Sequence, residues 1–473
     1  MAIRFAPSPE AVARIPRALA FRHDALPLHV TDGVLAVGLS DPDDRELLDL
    51  LRSTTRLRIR PLPMSRETIR ERLRIAYGEA SITTPASDDS PAVRAVDLVF
   101  ARAIAAHASD IHVAPSAHGG CVRLRVDGIL RELETIPAAL FAPFCSRLKL
   151  IAGMDISDRR QPQDGRCGIP FESREIDARV SSVPGIDGEK IVVRLLDRYA
   201  TTPRLESLGM SSDQLAAFRA ASHAPWGFVV VSGPTGSGKT TTLYASIDEL
   251  DSRARNICSV EDPVEMRLRG TSQVQVNPRA GLTFPGVVRA FMRQDPNVLM
   301  IGEMRDAETA SVAVSAALAG QTVFTTLHAN DAPRTIDRLI ELGVARHSLA
   351  AALGAVLAQR LIRVLCEQCR IRETIPAKLR VELRTEQASW FVAAGCQGCA
   401  GSGYLGRTGV YELMPVDDPV RDAIATAASS VQIAQLAARR GYRPMLEQAI
   451  AHVLEGRTSF AELTRVLGWG GAP

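Results

Sequence analysis

The stretch Gly233-Pro234-Thr235-Gly236-Ser237-Gly238-Lys239-Thr240 constrains this chain more than any other. It fits G-x-x-x-x-G-K-[ST], follows the apolar run Phe228–Ser232 and opens the helical pattern Thr241–Leu250. Strand, glycine loop and helix in that order form a cradle for phosphate: backbone N–H groups converge on the oxygens and the new helix directs its positive end at them. In such a cradle Lys239 reaches the β- and γ-phosphates of a nucleotide, the Thr240 hydroxyl ligates Mg²⁺, and Thr241 completes the binding run. Of the 56 Lys and Arg residues only Lys149, Lys190, Lys239 and Lys378 are lysine. A chance match to the motif in such a chain is on the order of 10⁻³–10⁻².

From Ser211 to about Arg363 short apolar strands alternate with helical patterns, which predicts a parallel, helix-covered α/β sheet. Ligands of such sheets sit beyond the carboxyl ends of the strands. Three expected strands end in polar chemistry there. Asn256–Val260 runs into Glu261-Asp262-Pro263-Val264-Glu265, Val298–Ile301 into Gly302-Glu303, and Val323–Leu327 into His328. Beside a γ-phosphate, Glu303 can orient or activate a water, Glu261 can assist, and His328 can contact the phosphate and report its loss.

At 473 residues the chain has room for two to four domains. A composition of 46% hydrophobic and 23% charged residues excludes wholesale disorder. The net charge of +3 and the 5% aromatic content give little of the basic, stacking surface that nucleic-acid binding uses, so a nucleic-acid-translocating motor is the remote alternative and no nucleic-acid partner is expected. The longest apolar stretch, around Leu349–Ala358, is about half of what a membrane-spanning helix needs, and the N-terminus shows no signal-peptide pattern, so a soluble, intracellular chain is expected.

Residues 1–78 read as a small αββαβα unit: a helix over Glu10–Phe21, strands Leu26–Val30 and Val34–Leu39 around the turn Thr31-Asp32-Gly33, a helix from Ser40-Asp41-Pro42 to about Arg52, a strand at Leu57–Arg60 and a helix over Glu67–Tyr77. Residues 79–91 read as a flexible linker. Residues 92–198 read as an α+β unit with a mainly antiparallel sheet, opened by a helix at Val93–Ala106 and carrying Asp127-Gly128 as a tight turn. The α/β unit is bounded at 199–363, a cysteine module at 364–406, and a helical region at 407–473.

Cys366-x-x-Cys369 and Cys396-x-x-Cys399 lie 26 residues apart, Arg370 to Gly395. Two such pairs supply four thiolates for tetrahedral Zn²⁺ with no open position, a structural rather than catalytic site. Neither pair sits in the βαβ context of a redox dithiol. Cys121, Cys145, Cys167 and Cys258 are read as packing residues.

These residues resemble the secretion (traffic) ATPases that drive type II secretion and type IV pilus assembly, with type II secretion the nearer. Val260–Glu265 looks like the aspartate box of that family. Arg293-Gln294-Asp295-Pro296 with Met300–Asp306 looks like its Walker B segment, and Thr326–Asp331 is similar to its histidine box. Ser109–His112, Arg123–Gly128, Pro162–Arg166 and Gly188–Asp197 also match, as does Gly401–Glu412 after the cysteines. Two departures stand out: Gln321 follows Gly320 where the family has histidine, and Thr283-Phe284-Pro285-Gly286 replaces its usual helix-forming residues.

The resemblance implies a PAS-like α+β domain ahead of a RecA-like P-loop motor. It also implies that arginines of the PAS-like domain reach the ATP phosphates, with Arg166 and Arg179 the expected pair and Arg159, Arg160 and Arg194 the competitors. It further implies a homo-hexameric ring on the cytoplasmic face of a bacterial inner membrane, docked by its N-terminal domain on the cytoplasmic domain of a secretion-platform protein and in contact with anionic phospholipid. ATP, Mg²⁺ and Zn²⁺ are the implied cofactors. Type IV pilus assembly is the alternative role.

Overall fold

A computed structural model of the chain describes residues 7–15, 19–20, 23–31, 33–42, 44–55, 57–65, 68–69, 72–73, 76, 90–171, 174–196 and 202–468. It divides into two compact units, Met1–Leu98 and Val99–Pro473, the division falling within helix Pro91–Ala105.

In the first unit β1 (Leu26–Thr31) and β2 (Val34–Leu39) form the expected hairpin, paired up to Thr31↔Val34, and β3 (Arg58–Pro63) adds parallel to β2. Leu26, Leu28, Leu35, Val37 and Leu51 make its core. The helix read over Glu10–Phe21 is present as Pro9–Arg14, with Phe21 outside the described residues. The next helix begins at Arg45 rather than at Ser40. Asp44 explains the shift: its carboxylate accepts the Leu47 N–H at 3.0 Å, so the cap sits after Pro42. The turn residue Asp32 and most of the expected helix 67–77 and linker 79–91 lie outside the described residues.

The second unit opens with a six-stranded antiparallel sheet made of β4 (Asp110–Ser116), β5 (Gly119–Val126), β6 (Ile129–Pro137), β7 (Gln163–Phe171), β8 (Arg174–Gly185) and β9 (Gly188–Leu196). Its order is β6-β5-β4-β9-β8-β7. Asp127 and Gly128, both at positive φ (50° and 80°), make the two-residue turn between β5 and β6. Beneath the sheet, buried Lys149 of helix Ala138–Ile151 donates to the Glu189 carboxylate and the Asp158 carbonyl, each at 2.7 Å. That ion pair ties the β8–β9 hairpin to the helix.

The larger sheet has the order β12-β11-β13-β14-β10-β15-β18. Its strands are β10 (Gly227–Ser232), β11 (Ile257–Glu261), β12 (Thr271–Gln275), β13 (Val298–Ile301), β14 (Thr322–Leu327), β15 (Leu353–Leu365) and, after the short hairpin β16 (Ile371–Thr374) and β17 (Ser389–Val392), β18 (Tyr404–Pro415). Neighbours are parallel except β15 and β18. Helices cover both faces, with Ala310, Ala313, Ile336 and Leu339 on one and Phe218, Leu243 and Tyr244 on the other. Every residue of β10 and β14 is buried, which is why neither strand carries a charged residue.

The sequence reading contains neither β15 nor β18. The apolar stretch at Leu349–Ala358 splits in the structure: helix Arg346–Ala352 ends within it and β15 begins at Leu353. Periodicity cannot separate a buried helix from a strand buried on both faces. The helices Asp418–Ala425, Ser430–Ala438, Met445–Leu454 and Phe460–Leu467 follow as expected. Buried Glu412 of β18 accepts the first N–H of Ala332–Glu341 at 2.8 Å and of Met445–Leu454 at 3.1 Å, capping two helices with one carboxylate. Among the described residues no helix is long and apolar enough to cross a membrane.

Candidate active site

The loop Gly233–Gly238 leaves β10 and turns directly into helix Lys239–Asp248. Two glycines are demanded by the backbone. Gly233 has φ +151°, and a Cβ there would stand 2.5 Å from the Gln359 carbonyl oxygen; Gly238 caps the helix at φ +86°. The Lys239 amine donates to the carbonyls of Gly233 (2.9 Å) and Pro234 (3.0 Å). Burial pulls its pKa down to about 8, against the raising influence of the Glu303 carboxylate and with that of Arg360.

Glu261, Glu303 and His328 all stand at the carboxyl ends of parallel strands, at the same edge of the sheet as the loop. They meet Lys239 and Thr240 around one cavity of about 480 Å³. Backbone bonds set Glu303 in place: Gly302 N–H donates to Val260 at 2.8 Å, and the Thr326 hydroxyl donates to the Gly302 carbonyl at 2.7 Å. A Cβ on Gly302 would lie 3.3 Å from Glu261 Cα, so the residue preceding the carboxylate must be small. Glu303 pairs with the more exposed Arg305 at 2.5 Å.

Glu261 is almost fully buried and accepts from Ser259 (2.6 Å), Gln273 (3.1 Å) and the Tyr244 hydroxyl. Three donors leave it a fixed acceptor. His328 has its pKa lowered by burial and by the Lys239 charge, against the pull of Glu303, so its ring is neutral at pH 7. Gln321 lies elsewhere. It precedes β14, and its carbonyl accepts from Gly227 at the start of β10, a strand's length from the loop. Pro285 falls in the first turn of Phe284–Phe291, where the Thr283 hydroxyl caps the helix by accepting from Gly286.

The arginines form a row. Arg166 of β7 faces Arg179 of β8, Arg179 faces Arg194 of β9, Arg194 faces Asp110 of β4, and Asp110 faces Arg125 of β5. Within the row Asp110 pairs with Arg194 at 3.0 Å and with Arg125 at 3.4 Å. Arg166 and Arg179 line a neighbouring cavity of about 520 Å³, and Arg194 lines both that cavity and the loop's. Arg159 and Arg160 line neither. Arg179 and Arg194 both act on Glu265 at the rim: burial and Glu261 raise its pKa, and the two arginines oppose them.

Arg407 of β18 belongs to none of the nucleotide motifs in the sequence. It lines the same cavity and lies 3.6 Å from Asp127, whose other carboxylate oxygen accepts the Gly406 N–H at 3.1 Å. The available signal was its glycine-rich surroundings, Gly401–Gly409.

The sulfurs of Cys366, Cys369, Cys396 and Cys399 all lie within 4.8 Å of one another, with separations of 3.9 Å (Cys366–Cys396), 3.8 Å (Cys369–Cys399) and 3.7 Å (Cys396–Cys399). A tetrahedron of Zn–S bonds of about 2.3 Å has edges of about 3.8 Å, which these three separations match. Backbone N–H groups of Cys396 (3.2 Å) and Gly403 (3.1 Å) donate to the Cys399 sulfur, contacts that favour its thiolate, while burial pushes the neighbouring Cys369 thiol up.

A parallel sheet with a G-x-x-x-x-G-K-T loop, a strand-end glutamate and a neighbouring histidine defines a P-loop ATPase of RecA-like fold. In fold the chain is similar to the ATPase DotB of Legionella pneumophila (TM-score 0.58, 21% identity, 80% of this chain and 95% of that one). Residues 85–465 match the family described as Type II/IV secretion system protein, and residues 3–82 match the MshEN domain. The chain belongs to the type II/IV secretion system protein family. It is similar to the type II secretion system protein HxcR of Pseudomonas aeruginosa, 44% identical over 379 residues that cover 80% of this chain and 78% of the relative. It is also similar to the type IV pilus assembly ATPase PilB of Myxococcus xanthus, 36% identical over 96% of this chain and 86% of the relative.

Proposed function

We propose that this ATPase powers protein export through a type II secretion system, using loss of the nucleotide's terminal phosphate to release one domain from another. The observation that carries the reading is the meeting of Lys239, Thr240, Glu303, His328 and Arg194 around one cavity, because Arg194 belongs to the antiparallel sheet and the others to the parallel one. In this reading the loop N–H groups and Lys239 hold the β- and γ-phosphates, exchanging the lysine's two carbonyl partners for phosphate oxygens. Thr240 ligates Mg²⁺, which neutralises charge on the transferring group. Glu303 positions the attacking water, Glu261 holds the strand end beside it, and His328 contacts the γ-phosphate.

The arginine row supplies the clasp. Arg194 serves the cleft of its own chain, while Arg166 and Arg179, further along the row, are placed for charge brought by a neighbouring subunit of a hexameric ring. Residues 1–78 dock on the cytoplasmic domain of an inner-membrane platform protein, with anionic phospholipid nearby. The four cysteines hold a structural Zn²⁺. Assembly on that platform would bring arginines of adjacent subunits into place, so turnover by the isolated chain is expected to be slow. ATP hydrolysis measured with and without the platform's cytoplasmic domain and phospholipid tests this. Stimulation that disappears in Arg194→Ala supports the reading; equal rates in every arm overturn it. The match to PilB, which runs over nearly the whole chain, keeps pilus assembly as the second reading, favoured if residues 1–80 recover pilus-platform proteins alone.

The lysine gives a pH signature. A triphosphate favours the charged amine, whose pKa stands at about 8 without it, so binding above that pH takes up a proton. Nucleotide affinity is expected to be flat near neutral pH and to weaken by up to about tenfold per unit as pH rises beyond 8. Titration calorimetry in buffers of different ionisation enthalpy reads both the affinity and the proton uptake.

A further inference from the structure

Gln359 is an amide buried to 1% exposure in the middle of β15, a strand whose neighbouring side chains Leu357 and Leu361 are apolar. Ser232, the last residue of β10, is paired with Ala358, so Gln359 comes level with Gly233, where the phosphate loop begins. Its Nε2 donates to the Ser237 carbonyl at 2.7 Å, and its Oε1 accepts from the Thr242 hydroxyl at 2.9 Å. The Thr242 backbone N–H in turn donates to the Gly238 carbonyl at 3.0 Å. One side chain thus grips the loop's last turn and the first turn of the helix from behind. Burying an amide is costly unless it is bonded, and both ends of this one are.

The consequence follows from peptide geometry. In a planar trans peptide the C=O and N–H point in opposite directions. The Ser237 carbonyl and the Gly238 N–H share one peptide, so holding the carbonyl toward β15 aims that N–H into the concave side of the loop. We propose that Gln359 is a positioning residue for nucleotide binding and hydrolysis: it touches no phosphate, and it presets the Gly238 N–H and the start of helix Lys239–Asp248 for the β-phosphate. This rests on the nucleotide reading of the loop.

The test uses the full chain and fluorescent ADP and AMP. Gln359→Leu is expected to weaken ADP binding by about 10-fold or more and to lower kcat by about 10–100-fold, since small misplacements of a binding group are costly in rate. AMP, which lacks the β-phosphate, should bind as before. Gln359→Glu keeps the acceptor for Thr242 but has no donor for Ser237, and it should reproduce the ADP defect. Thr242→Val removes the other bond, and its effect should be less than additive with Gln359→Leu. A folded Gln359→Leu protein whose ADP affinity and kcat stay within twofold of the parent overturns the proposal, as does equal weakening of ADP and AMP. Should Gln359→Leu fail to fold, Gln359→Glu and Thr242→Val decide in the same way. Failure of the unaltered protein to bind ADP would instead refute the nucleotide reading.

Discussion

At pH values where Lys239 keeps its proton, Glu303→Gln is expected to bind ATP as tightly as the parent and to hydrolyse it about 10²–10⁴-fold more slowly, the usual worth of a positioned general base. The substitution keeps the size of the side chain and its backbone setting, because the bonds that fix this corner run through Gly302 and Thr326 and not through the carboxylate. What it removes is the negative charge that pairs with Arg305 and faces Lys239 and His328 across the cavity. Loss of that charge should also lower the Lys239 pKa further, since Glu303 is the carboxylate that raises it. Affinity in the variant should therefore begin to weaken at a lower pH than in the parent. Single-turnover hydrolysis alongside equilibrium binding separates the two effects. An unaltered rate would remove Glu303 from the chemistry and leave the more buried Glu261 as the remaining carboxylate.

The half of the site that lies in one continuous strand–loop–helix was legible in the sequence, because the chemistry there is local. Gly233 to Thr240 carry their own backbone requirements, and Glu261, Glu303 and His328 each stand at or within two residues of the end of a fully buried strand. The tetracysteine cluster was legible for the same reason, since the paired spacing survives whatever the intervening residues do. What was not legible depends on pairing between distant strands. Choosing among Arg166, Arg179 and Arg194 requires the register of β7, β8 and β9 and the position of that sheet's edge relative to the loop, and no residue pattern encodes either. Arg407 and Gln359 were hidden for a related reason. Both lie on β15 and β18, and β15 starts inside a run whose apolar residues suit a helix and a strand equally. The helix start at Arg45 is a smaller instance, in which a capping aspartate outweighed a proline that suits any first turn.

Removing the zinc proposed for the four cysteines is expected to loosen the module while leaving the phosphate loop folded. The thiolates close a segment that has modest structure of its own: one short helix, Ala377–Glu382, and the hairpin β16–β17, whose strands are four residues each. That segment nonetheless shares a core with the motor, because Ile375, Leu379 and Trp390 are buried in the same cluster as Val356 and Val410, and Trp390 stacks on Phe460 at 4.9 Å. The packing should persist in part, so the cost should be a few kcal/mol, well short of the roughly 10–16 kcal/mol that zinc supplies to domains that are unfolded without it. Purified protein should carry one zinc per chain. Cys396→Ser and treatment with a strong chelator should both lower the unfolding temperature and open the segment between Cys369 and Cys396 to proteolysis, whereas Cys121→Ser, remote from the cluster, should do neither. Cys366 directly follows Leu365, the last residue of β15, so loosening there should also speed hydrogen exchange along that strand toward Gln359. A chain free of zinc, with the same melting temperature before and after chelation, would show the four sulfurs to be packed together without a metal.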